Sequence, residues 1–136
     1  MSQLSDYAEG QFRAHLFRTA TFAKPSGLFI SLHTADPTDA GTGAEVTGGS
    51  YARVPRAPLD ANWTAASGTN GLTDNAAAIT FPAPTANWGS VTHFGIWDAA
   101  TVGNLLLYGA LTTPKTINNG DAAPAFAIGA LAITFA

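Results

Sequence analysis

The chain has 136 residues, no cysteine and a formal net charge of −3. That is the length of one domain, long enough to bury a core without covalent staples. The absence of cysteine excludes disulfides, thiolate metal sites and cysteine nucleophiles, and the acidic balance argues against a protein that works by neutralising phosphates. Hydrophobic residues make up 46%, but 27 of them are alanine, and Val, Ile, Leu and Phe together number 29, or 21% of the chain. Charged residues are 11%, against about 25% in ordinary domains. A surface so poor in charge has little colloidal protection when free, so much of it is expected to be covered in an assembly.

Residues 1–20 read as an N-terminal helical arm and residues 21–136 as a β-domain. In the arm Leu4, Ala8, Phe12 and Leu16 recur every four residues and Phe17 widens the stripe, the pattern of an amphipathic helix. Asp6 and Glu9 are placed to cap its start. Arg13, His15 and Arg18 suit the negative end of its dipole. The stripe is expected to be buried, at least partly against another chain, because a terminal element is readily exchanged between protomers. No run reaches the roughly 20 apolar residues of a membrane helix. Met1 to Asp6 lacks the basic start and apolar run of a signal peptide, so synthesis in the cytoplasm without export is expected.

After Gly27 the period shortens to two. Leu28, Ile30 and Leu32 alternate with Phe29, Ser31 and His33, a strand pattern. Residues 35–50 form a long loop rich in Gly, Asp and Pro, a length that marks a contact loop. Tyr51 to Arg56 reads as a short strand limited by Pro55 and Pro58, hence at an edge, and Leu59 to Asn75 as loop with a turn at Asn70-Gly71. Strands are predicted over 76–81, 90–98, 103–113 and 125–135, with Gly95 marking a bulge or a close backbone approach. Pro114 and Asn118 to Asp121 separate the last two. The fold class is therefore mainly β, an antiparallel sandwich or jelly roll in one domain with one N-terminal α-helix.

Little in this sequence carries chemistry. His15, His33 and His93 lack metal-ligand spacing, although His33 and His93 sit in strands that could meet across a sheet. The aspartates flank Gly, Pro or Asn, where they serve turns. No Gly-x-Ser-x-Gly elbow gives Ser50 or Ser67 the setting of an activated nucleophile. No enzyme activity, cofactor or metal is expected, and no nucleic-acid or membrane partner. Trp63 and Trp88 lie in loops, where exposed rings could stack on a sugar; the alternative for such rings is core filling. Arg53 and Arg56 are scarce cations beside the long loop, suited to a carboxylate on a partner.

Three blocks of residues carry a resemblance. Leu32-His33-Thr34-Ala35-Asp36-Pro37, Gly41 to Glu45 and Gly48 to Arg53 form the first. Ile79 to Pro82, Trp88-Gly89 and Val91 to Asp98 form the second. Gly103 to Leu106, Gly109 to Leu111, Lys115 and Gly120-Asp121 form the third. In this order they resemble a family of small bacteriophage virion proteins variously labelled head-decoration, minor tail or tail-fibre proteins. The resemblance implies a β-rich, non-enzymatic structural protein, typically trimeric when it sits on a capsid and clamps the major capsid protein. The expected function is a capsid cement on the outside of the head, with Leu4, Phe12, Leu16, Phe17, Arg53 and Arg56 as contact residues. The alternative is a tail-fibre or tail-tip domain that attaches to a host-surface glycan, with Trp63 and Trp88 as stacking residues.

Overall fold

In a computed structural model, which describes residues 2–66 and 71–134, one helix and nine strands follow each other as β1 (Ser2–Leu4), α1 (Asp6–Phe17), β2 (Phe29–His33), β3 (Val54–Pro55), β4 (Leu72–Asp74), β5 (Ile79–Thr80), β6 (Gly89–Trp97), β7 (Leu105–Ile117), β8 (Ala125–Phe126) and β9 (Ala132–Thr134). The mainly β, antiparallel, single-domain class with an N-terminal helix is the one expected. A five-stranded sheet in the order β1-β7-β6-β2-β3 forms the body. Two ribbons, β4-β9 and β5-β8, replace the continuous second sheet of a sandwich. Their side chains Ile79, Phe126 and Ile133 pack with Ile30, Leu32, Val91, Phe94 and Ile96 of the main sheet in one apolar core. The predicted turn at Asn70-Gly71, the Ser67 position and the end of the last strand at Phe135 lie outside the described residues, wholly or in part.

Local signals place several elements well. β3 is at the sheet edge, where Pro55 needs no ladder partner for its missing N–H. Gly95 is a close-approach site: a Cβ there would stand 2.6 Å from the Ser31 hydroxyl and 3.0 Å from both Leu105 Cδ1 and Trp97 Nε1.

Other elements differ from expectation. Simple alternation along β6 puts Val91 and Phe94 on opposite faces, yet both join the same core. A register shift between Val91 and His93 inverts the alternation. Opposite it, β7 carries four residues, 111–114, between the partners of His93 and Val91. Pro114 falls in this bulge, so β7 passes through it to Ile117 instead of ending. The predicted final strand splits into β8 and β9, with Gly129 at φ 74° between them.

The N-terminus changes most. Ser2–Leu4 is not helical; it pairs antiparallel with residues 107–109 of β7, Leu4 opposite Leu107. Helix α1 starts one step later, capped by Ser5, whose Oγ accepts the Ala8 N–H at 3.1 Å. The cap is thus serine and not an Asp6–Glu9 pair. Ser5 also ties the helix to β7, through its N–H to the Leu106 carbonyl at 3.0 Å and its hydroxyl to the Leu105 carbonyl.

Candidate subunit-contact surface

His33 on β2 stands opposite His93 on β6, as the strand pattern allowed. Its ring is buried and fully bonded. Nδ1 lies 2.8 Å from the Gly43 carbonyl, which can only accept, so Nδ1 carries the proton. Nε2 then accepts from the Ser31 hydroxyl at 2.8 Å, and that hydroxyl accepts the Trp97 indole N–H at 2.8 Å. A serine bonded to a histidine has the outline of a nucleophile and its base, but Ser31 and His33 are both 0% exposed. No substrate atom can reach them in this conformation, and the pair serves to satisfy the interior.

Glu45, within the long loop, gathers a second set of bonds. Tyr51 and Arg53, two apart on an extended segment, present their side chains to the same side. The Tyr51 hydroxyl donates to Glu45 Oε1 at 2.9 Å and accepts the Leu32 N–H at 3.0 Å. Arg53 grips both carboxylate oxygens, Nε to Oε1 at 2.8 Å and Nη2 to Oε2 at 2.7 Å. Its Nη1 holds the carbonyls of Ala99 at 3.0 Å and Val102 at 2.8 Å. Its guanidinium lies 3.8 Å from the centre of the Trp97 ring, a cation–π contact. Arg53 is therefore committed inside the fold, with its side chain 6% exposed, and does not offer a free cation to a partner's carboxylate. The loop it closes is ordered by its own chain. Pro37 is buried, Asp36 caps Thr38 N–H at 2.8 Å, and Asp39 accepts the Tyr108 hydroxyl. Arg56 is half-buried and donates to the Ala78 carbonyl.

Burial pushes the pKa of His33 down; the Gly43 bond and the Glu45 charge oppose this without cancelling it. Burial pushes the Glu45 carboxyl up, but the Arg53 bonds and charge and the Tyr51 hydroxyl outweigh it and hold the group below its ordinary value. Both shifts act in the same direction. Unfolded His33 takes a proton as pH falls through its ordinary 6.5 while the folded residue stays neutral, so the unfolded state binds more protons and stability drops. Glu45 adds a second loss as pH falls through its unfolded value near 4.5 towards its lower folded one. Denaturant unfolding across pH 4 to 8, roughly the span of these two ordinary values, is expected to show stability falling on the acid side in two stages. The variant His33→Gln should lose the first stage; an unchanged slope in that variant would reject the assignment.

The two tryptophans proposed for stacking are placed differently. Trp88 is 5% exposed; its Nε1–H donates to the Gly49 carbonyl at 2.9 Å, and its ring meets Tyr51 edge-on at 5.4 Å. It is core, because a loop folded back onto the body buries what its sequence alone leaves open. Trp63 is half-buried and walls an apolar groove of about 770 Å³ with Leu28, Leu59, Ile96, Leu107 and Ile133. Its indole N–H is buried with no hydrogen-bond partner among the described residues.

Helix α1 projects from the body. Of its stripe only Ala8 is buried, while Phe12 is 52%, Leu16 56% and Phe17 81% exposed. The tether at Ser5 holds its first turn to β7 and leaves the last two turns in solvent. Leu4, in β1, is half-buried. In the single chain, then, three of the four predicted arm contacts are open apolar surface, and the Arg53 network is closed interior. Glu45 is not among the residues singled out from the sequence; the signal for it is Tyr51-x-Arg53, two polar-tipped side chains on one side of the chain that require an acceptor. A family model described as podophage GP4 fiber I protein gp80 matches residues 3–134. No curated protein matches the chain.

Proposed function

Because the chain belongs to the podophage GP4 fiber I protein gp80 family, we propose that this structural protein of the phage virion is a fibre subunit, and that it works by assembly and not by catalysis. The observation that carries the reading is the family match over residues 3–134, which takes in the helix, the sheet and both ribbons. The fold gives it support. The one serine–histidine pair described is sealed, while the open apolar surface lies on a projecting helix. Self-association into a closed oligomer, a trimer in this reading, covers that surface. The fibre in the family's description supports this reading; the alternative is a cement on the capsid surface, bound to the major capsid protein.

Copy number and location separate the two. In images of virions labelled with an antibody to this protein, we expect a few labels at the fibres. Labelling of the whole head in hundreds of copies would overturn the fibre reading in favour of the cement.

A further inference from the structure

Three features of the surface complement one another. The first is the exposed end of α1, where Phe12 and Leu16, four apart, share a face and Phe17 flanks them. The second is charge. Residues 10–24 hold Arg13, Arg18 and Lys24, half the chain's six Lys and Arg, and no acid, whereas from Pro25 onward seven acids face three cations. The third is the Trp63 groove, apolar along its walls, with Leu59 59% exposed beside it. Asp60 is in its lining, and Thr64 of the lining bonds the Asp74 carboxylate at 2.9 Å; among the described residues no Lys or Arg lines it.

A chain's own helix does not fill its own groove, since Ser5 and Asp6 fasten its start to Leu106 and Asp39 and its tip remains exposed.

We propose that the α1 tip of one copy docks in the Trp63 groove of a second copy, with Phe12, Leu16 and Phe17 against Leu59 and Trp63 and the basic end of the arm beside Asp60. The contact joins unlike surfaces, so successive copies close a ring when the rotation permits, and a trimer is the smallest ring beyond a dimer. The inference specifies the self-association in the fibre reading, but it can fail without that reading failing.

The absence of native cysteine provides a clean test. Differently tagged full-length Phe17→Cys and Leu59→Cys proteins are mixed and mildly oxidised, and covalent heterodimers are counted on a denaturing gel. We expect the heterodimer in at least tenfold excess over a control that pairs Phe17→Cys with Ile128→Cys, since Ile128 is exposed but does not line the groove. In parallel, Phe17→Asp should lower the oligomer to monomer in light scattering while far-UV circular dichroism stays unchanged. Equal crosslinking at both positions, no crosslinking, or a Phe17→Asp protein that assembles normally would each overturn the docking. Labelled virions that still carry the protein at the fibres would then leave the fibre reading intact with a different partner for the helix.

Discussion

Replacing Arg53 by Ala is expected to lower the unfolding free energy by about 3 kcal/mol, the lower end of the cost of breaking a buried ion pair. The change leaves the Glu45 carboxylate without its two charge-assisted bonds, and it frees the carbonyls of Ala99 and Val102. It also uncovers one face of Trp97. Glu45 keeps some solvent, with its side chain 25% exposed, which is why the lower figure is the better one. Arg53→Lys keeps the charge but has no fork to reach two oxygens and two carbonyls at once, so it should recover only part of the loss. A double variant, Arg53→Met with Glu45→Gln, removes both charges together and should cost less than Arg53→Ala alone. Equilibrium denaturation of the three variants measures this. A loss under about 1 kcal/mol for Arg53→Ala, the range of an exposed pair, would mean that the cluster is no more than surface electrostatics.

Deleting residues 1–20 is expected to damage the fold, and not merely its assembly. The deletion removes edge strand β1 and with it the exchange between Ser2 and Thr134, in which the Ser2 hydroxyl donates to the Thr134 carbonyl and accepts its N–H, both at 2.9 Å. Ser5 takes with it a helix cap and two bonds to β7. Each hydrogen bond contributes roughly 0.5–1.5 kcal/mol. Together with the ladder bonds of β1 the total is several kcal/mol, a large share of the roughly 5–15 that hold a domain together. The truncated protein should therefore show a much lower melting temperature or collect in the insoluble fraction. By contrast, Phe12→Ser, Leu16→Ser and Phe17→Ser combined leave β1 and Ser5 in place, and should melt within a few degrees of the parent. The arm thus has two separable parts: residues 2–8 complete the sheet, and the outer two turns of α1 carry the exposed apolar side chains of the docking proposed above. A truncated protein as stable as the parent would contradict this division.

What the sequence by itself determined is local. The period of four in the first 17 residues marks α1, the period of two after Gly27 marks β2, and prolines confine β3 to an edge. Gly95 marks a close approach because only a missing Cβ fits against Ser31. Each of these follows from steric or periodic properties of a few neighbouring residues. The tertiary structure decided what depends on partners distant in the chain. The Val91–His93 register shift re-aimed β6, since a bulge inverts every side chain beyond it. Pairing with β7 made a strand of Ser2–Leu4, whose three residues have no periodicity long enough to read. Folding of the 48–51 and 84–88 segments against each other buried Trp88, and closure of the long loop brought Glu45 to Arg53. The exposed face of α1 belongs to the same class. A four-residue period says that a helix has an apolar side, but the tether at Ser5 decides whether that side meets the chain's own core or the solvent.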